Sequence, residues 1–338
     1  MSHELLTIGR ISVDIYPNDI GVGLEDVNSF GKYLGGSPSN VAVAAARHGR
    51  RTAVITRTGD DAFGIYLHRE LRKFGVDDSL VTAVKEWPTA VTFCAIKPPD
   101  DFPLYFYGRF PTAPDLQIQA EELDLDAIQN AKIFWSTVTG LCQEPSREAH
   151  VKAHEARDRD KLRIGQYTIL DLDYRPMFWA SEEEAREQVA RILPHVTVAI
   201  GNDKECAVAV GEGTPDEQAD RLLAAGVEIA VVKLGPDGVM AKTRTERVVS
   251  APVPVETFNG LGAGDSFGGA FCHGLLSGWP LARVLDYANA AGAIVASRLS
   301  CADAMPTPNE VNSLLAERGR LVTDTLIPNG FTTEGATL

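Results

Sequence analysis

The sequence predicts an α/β fold: a mainly parallel central sheet with helices on its faces and a small β appendage over one end. Two observations predict the body. Short apolar runs recur along the chain, and helical segments with marked starts separate them. A third predicts the appendage, because two stretches break that rhythm with strands and loops and no helix between them.

The β-like runs are Leu5 to Ile11, Thr52 to Thr56, Lys132 to Val138, Tyr167 to Asp171, Val196 to Ile200 and Glu228 to Lys233. Thr214-Pro215-Asp216-Glu217 reads as a capping box with proline at the first helical position, closed by Gly226, and Thr307-Pro308-Asn309-Glu310 repeats it. In the run from Gly35 to Gly49, Ser37 is expected as N-cap, Pro38 as first helical residue and Gly49 as the stop. The breaks fall at 12–35 and 87–111, where Thr89 to Ile96 and Leu104 to Arg109 are strand-like and flank a turn at 97–101. Because βα units separate the two stretches, the appendage is expected as a lid inserted into a main domain spanning 1–320. Residues 321–338 read as a loosely held tail. Val91, Phe93, Leu104 and Phe106 give the lid more apolar surface than a two-sided exposed sheet leaves in water, so a homodimer through the lid is expected.

The 338 residues, 44% of them hydrophobic, suffice for a large single core with an appendage. A net charge of -14 without a dense basic stripe argues against nucleic acid as a partner. The five cysteines are scattered singly, which disfavours disulfides and structural zinc. No run of about 18 apolar residues and no signal-like N-terminus occurs, so a cytoplasmic protein with no membrane partner is expected.

The chemistry concentrates in Glu256-Thr-Phe-Asn-Gly-Leu-Gly-Ala-Gly-Asp-Ser-Phe-Gly-Gly-Ala270. Its glycines permit tight turns before an apolar helix whose first N–H groups favour negative charge, as on a phosphoryl group in flight. Asp265 at that positive end stays ionised and able to take a proton from a hydroxyl. A capped helix after a flexible loop would read the same way. In the second run, Gly35-Gly36 allows a ligand close to the backbone, and Asn40 can donate to and accept from polyol hydroxyls.

Together the two runs resemble the signature regions of the ribokinase-like (PfkB) carbohydrate kinase family. The resemblance extends from about residue 5 to about residue 316 and includes Gly9 and Asp14, Thr58-Gly-Asp-Asp-Ala-Phe-Gly64, Asn202-Asp-Lys-Glu205 and Val232-Lys-Leu-Gly-Pro-Asp-Gly238. It implies a ribokinase-like three-layer domain with a β lid, using ATP and Mg²⁺. Asp265 would be the base, and the N–H groups of Gly262, Ala263, Gly264 and Asp265 the anion hole. Asn202 and Glu205 would position Mg²⁺ and phosphate through water, although an Asn cap with an acidic first turn looks identical. Lys233, Gly235, Gly238 and Asn289 would wall the nucleotide pocket, and Asp14, Gly35, Gly36 and Asn40 would meet sugar hydroxyls. Asn259 stands where most members carry Asp, which weakens any inference of monovalent-cation activation. Asp173 stands where sugar-acid kinases often have Asn.

The two-residue strand period places Tyr105, Tyr107 and Arg109 on one lid face, and Arg175 lies past the end of the Tyr167 strand, where open α/β sheets gather ligands. Arginines in a closed site of an acidic protein suggest a substrate carboxylate. Pairing with nearby Asp or Glu is the other reading. Both arginines resemble the carboxylate-binding pair of the family's sugar-acid kinases. A dinucleotide-dependent oxidoreductase is disfavoured because Gly9-Arg-Ile-Ser-Val-Asp14 replaces the required glycine fingerprint after the first strand. A non-catalytic sugar-binding regulator is disfavoured by the intact Asp265 and glycines.

Overall fold

The computed structural model describes residues 3–319. Strand β1 (Leu5–Ile8) leads into β2 (Ser12–Pro17), β3 (Phe30–Gly35) and helix α1 (Ser37–Arg47). Then come β4 (Thr52–Gly59), α2 (Ala62–Lys73), β5 (Val76–Asp77), β6 (Val81–Val84), β7 (Val91–Cys94), β8 (Leu104–Tyr107), α3 (Leu125–Asn130) and β9 (Ile133–Thr137). Helix α4 (Ser146–Ala156), β10 (Tyr167–Asp171), α5 (Glu182–Ile192), β11 (Val198–Asn202), α6 (Asp203–Val210), α7 (Pro215–Ala224) and β12 (Ile229–Lys233) follow. The described chain closes with β13 (Val239–Lys242), β14 (Arg247–Ser250), α8 (Ala263–Leu276), α9 (Leu281–Ala296) and α10 (Pro308–Glu317).

Strands buried on both faces explain why the apolar runs are continuous rather than alternating. Leu5 packs with Trp135, Ile169 and Phe271 on one side of the sheet, whereas its neighbour Leu6 packs with Phe134, Ile128 and Ala149 on the other. The main sheet runs β14-β13-β12-β11-β10-β9-β1-β4-β5, with β6 beside β4. Every pairing from β12 to β5 is parallel, and only β13 and β14 join antiparallel. This is the α/β architecture read from the sequence. Among the described residues, no helix is long and apolar enough to cross a membrane.

The run from Leu5 to Ile11 is not one strand. At Gly9 the backbone takes a φ of 134°, and β2 departs into a second sheet ordered β3-β2-β7-β8. The tail at 321–338 lies outside the described residues. Both proline-led capping boxes are present, Thr214 with Glu217 and Thr307 with Glu310.

Two expectations need correction. Gly36, not Ser37, caps α1, because the turn into the helix demands a φ of 96° at that residue. A Cβ there would stand 2.5 Å from the Arg10 carbonyl oxygen. Ser37 and Pro38 therefore become the first and second helical residues. In the lid, Arg109 lies beyond the end of β8, after Gly108 has turned the chain, and does not share a face with Tyr105 and Tyr107. The register pairs Thr92 with Phe106 and Phe93 with Tyr105. Leu104 and Phe106 consequently face inward, and the two tyrosines are exposed on the outer face.

Small residues set the spacing that the site depends on. A Cβ on Gly269 would stand 2.3 Å from the Ala44 side chain of α1, and one on Gly268 would stand 2.6 Å from the Trp135 ring of β9. Helix α8 can therefore lie against α1 at close range, and their first turns meet.

Candidate active site

Asp265 is the third residue of α8, and its Oδ2 accepts a 2.8 Å hydrogen bond from Asn40 Nδ2 in the first turn of α1. Gly262 turns the chain into α8 through a left-handed conformation, φ 80° and ψ -9°. Any side chain there would collide with Cys301, whose Sγ lies 2.6 Å from the Cβ position. The helix has no side-chain cap, and its first intrahelical bond runs from Ser266 N to Gly262 O at 2.9 Å. The N–H groups of Ala263, Gly264 and Asp265 are thus the free donors of the helix start. Asn259 pins the preceding loop: its amide donates to Leu299 O, and its Oδ1 accepts from Leu261 N. An aspartate could not make the first of these bonds.

In front of Asp265 lies a cavity of about 260 Å³. The carboxyl ends of β1, β10 and β12 bring Arg10, Asp171, Asp173 and Lys233 to it, the position where open α/β sheets bind ligands. The inner lid face closes it with Asp14, Tyr16, Thr92, Leu104 and Phe106. Gly35 makes room for Asp14, since a Cβ there would lie 2.0 Å from its carboxylate.

Burial raises the Asp265 carboxyl above its ordinary range, and the neighbouring Ser37 and Asn40 side chains and Arg10 oppose that rise. Burial also pushes Asp14 up to about 7 against Ser12 and Arg10, and Asp171 up to about 7 against Lys233. Asp173 goes the other way. Burial would raise it, but Arg175 and Arg10 outweigh that and hold it below the usual carboxylate range.

A second, apolar groove of about 250 Å³ lies behind the start of α8, lined by Val239, Val253, Phe267, Asn289 and Ala293 with Gly235 and Gly238. Lys233 and Gly264 line both spaces, so cavity and groove meet at the α8 N-terminus. The structure thus brings Asp265, Gly262, Gly264, Asp14, Gly36, Asn40, Arg175, Glu205 and Lys233 to the cavity, and Lys233, Gly235, Gly238, Ala263 and Asn289 to the groove.

Asn202 and Glu205 form a reciprocal capping box on α6. Asn202 opens onto a neighbouring space of about 540 Å³, and Glu205 borders both that space and the cavity, 4.0 Å from Lys233 Nζ. Among the described residues no group of three or more His, Cys, Asp or Glu is arranged to hold a metal ion. Glu205 and Asp171 instead offer carboxylate oxygens beside Lys233, a set that suits Mg²⁺ carried in on nucleotide phosphates rather than a protein cage.

Arg109 is not brought to the cavity. It is buried, its Nη1 donates to both Asp115 oxygens at 3.0 Å, and its guanidinium lies over the Phe178 ring. Of the two readings of this arginine, pairing with a nearby acid is the observed one. Sequence reasoning missed Arg10, Leu104, Phe106 and Cys301. Arg10 fell inside the run read as the first strand, and only the break at Gly9 places it past that strand's end; nothing local marks Cys301 either.

The family model described as pfkB family carbohydrate kinase matches residues 2–308, and the chain belongs to that family. Two relatives named 5-dehydro-2-deoxygluconokinase illustrate the similarity. That of Geobacillus kaustophilus is 34% identical over 320 residues, 93% of this chain and 94% of the relative. That of Shouchella clausii is 31% identical over 319 residues, 93% and 96% of the two chains. Among solved structures, a fructokinase with bound ATP from Xylella fastidiosa superposes with a TM-score of 0.80 at 23% identity, covering 94% of this chain and 99% of that one. Aminoimidazole riboside kinase from Salmonella enterica gives 0.76 at 24%, covering 92% and 99%.

Proposed function

We propose that this protein is an ATP-dependent sugar-acid kinase that phosphorylates the 6-hydroxyl of 5-dehydro-2-deoxygluconate. The observation that carries this reading is the position of Asp265, ionisable and held by Asn40, where a charged cavity meets an apolar groove at a helix N-terminus. The relatives' shared name supplies the particular acid.

The acceptor hydroxyl enters beside Asp265, which takes its proton as the oxygen attacks the γ-phosphorus of ATP; the bond from that phosphorus to the β,γ-bridging oxygen breaks, and ADP leaves with the oxygen. The N–H groups of Ala263, Gly264 and Asp265 receive the charge on the transferring oxygens. Glu205 and Asn202 would hold Mg²⁺ through water, and the ion would supply neutralisation of the phosphate charge. Lys233, whose ammonium Asp171 and Glu205 keep charged despite burial, faces the same phosphates. Gly235, Gly238 and Asn289 shape the groove for the nucleotide. Asp14, Gly36 and Asn40 meet the sugar hydroxyls, Gly35 leaves room for the Asp14 carboxylate, and Arg175 meets the substrate's carboxylate.

The protein also pairs with a second copy through the outer lid face. There Phe93 packs edge-on to Phe30 and Tyr107, while Phe30, Tyr105 and Tyr107 are exposed. Leu104 and Phe106, expected on that surface, face the cavity instead. Light scattering at micromolar concentration should give twice 36.5 kDa, and a 36.5 kDa species alone would contradict the dimer.

Side-by-side kcat/KM measurements on 5-dehydro-2-deoxygluconate, 2-keto-3-deoxygluconate, fructose and ribose test the substrate. A preference for either neutral sugar would refute the sugar-acid reading. A preference for the second keto-acid would refute only the particular substrate.

A further inference from the structure

We infer that Arg10, cross-braced to Arg175 through Asp173, is the second arginine of the substrate's carboxylate site, in the place expected of Arg109. The inference rests on the sugar-acid reading above and assigns its specificity.

Arg10 Nη2 donates to Asp173 Oδ2 at 2.8 Å, and Arg175 Nη2 meets Asp173 Oδ1, also at 2.8 Å. One carboxylate therefore holds two guanidinium groups, one on each oxygen, and both line the cavity. A guanidinium has five donors, so each keeps N–H groups to spare. The Nε atoms of Arg10 and Arg175 are both buried without a hydrogen-bond partner. Unpaired buried donors on a charged group are costly unless something arrives to meet them.

Charge gives the arrangement its selectivity. Two arginines share Asp173, one positive charge more than that carboxylate neutralises, although Asp14 and Asp265 also act on Arg10. The cavity's other acids, Asp14, Asp171, Glu205 and Asp265, outnumber its one lysine. The sugar's own carboxylate is therefore drawn to this pair, while Lys233 and the N–H groups of α8 are taken up by the phosphates. That orients a linear sugar acid with its carboxylate at Arg10 and Arg175 and leaves its far hydroxyl for Asp265. Arg109 offers no such excess, because Asp115 already neutralises it.

The test compares Arg10→Met, Arg10→Lys and Arg109→Met with the unaltered enzyme, on 5-dehydro-2-deoxygluconate and on fructose. Arg10→Met should lower kcat/KM for the acid about 10- to 100-fold more than for fructose, the acid-specific part chiefly through KM, because the loss of Arg10 beside Asp265 falls on both substrates alike. Arg10→Lys keeps the charge but loses the fork, and should show the same selective loss at smaller size. It carries the test alone if Arg10→Met does not fold. Equal losses on acid and neutral sugar, or acid kcat/KM retained within threefold, would overturn the assignment, as would an acid-selective loss confined to Arg109→Met. If the unaltered enzyme shows no preference for the acid, the sugar-acid reading fails before any variant is compared.

Discussion

The cavity and the groove meet at one helix end but are built on opposite principles. The cavity sets the buried Asp14, Asp171 and Asp173 among the half-buried Asp265, Arg10, Arg175 and Lys233, so each charge needs a placed partner. The groove is walled by Val239, Val253, Phe267 and Ala293, where shape and area matter more than any single atom. In a buried charged site the loss of one group leaves its partners unpaired. In an apolar one the loss is spread over many weak contacts. Single changes should therefore be severe on the cavity side and mild on the groove side.

The largest expected effect is at Asp265. Asp265→Asn should fold, with unchanged thermal melting within a few degrees, and lower kcat by about 10²- to 10⁴-fold in an ADP-release assay. Retention of more than about a tenth of turnover would remove Asp265 from the role of base.

Next comes the linkage of Asp14 to pH. Its folded carboxyl is raised from 3.8 to about 7 by burial, so between those values the folded protein binds more protons than the unfolded chain. Stability is then lost as pH rises through that window, by up to about 1.4 kcal/mol per pH unit. Urea unfolding at pH 4.5, 5.5 and 6.5 should show Asp14→Asn gaining on the unaltered protein as pH rises. A gap that stays constant would mean that Asp14 is ionised throughout.

Gly269→Ala examines the spacing behind both halves. The added methyl must push α8 away from Ala44, costing about 1–3 kcal/mol of stability and weakening the Asn40 bond to Asp265. Turnover should fall more than the KM for ATP rises. If only the KM for ATP changes, the close approach of α1 and α8 serves the groove rather than the base.

The mildest change is Val253→Ala in the groove. It should raise the KM for ATP by less than about tenfold and leave kcat near normal, since two methyl groups carry roughly 1–2 kcal/mol at full burial. A large fall in kcat would end the contrast between the two halves.

How much of this was readable in the sequence follows the same divide between local and distant. The strand rhythm, the capping boxes at Thr214 and Thr307 and the glycine run that opens α8 before Asp265 could be read directly. Each depends on contiguous residues, through backbone conformation and bonds spanning three or four positions. Even there the need for a positive φ at Gly36 moved the cap of α1 by one residue. The two-residue period correctly separated Tyr105 and Tyr107 from Leu104 and Phe106. It could not say which pair looks inward, because the choice depends on how the lid sheet lies over the cavity. Arg10 meets Asp173 across 163 positions, and Gly262 rests on Cys301, so neither contact has a local signature. The sequence by itself determined the elements and the helix end that concentrates positive potential. Only the tertiary structure decided which charges share the buried cavity, because that pairing depends on strands meeting at their carboxyl ends and not on chain proximity.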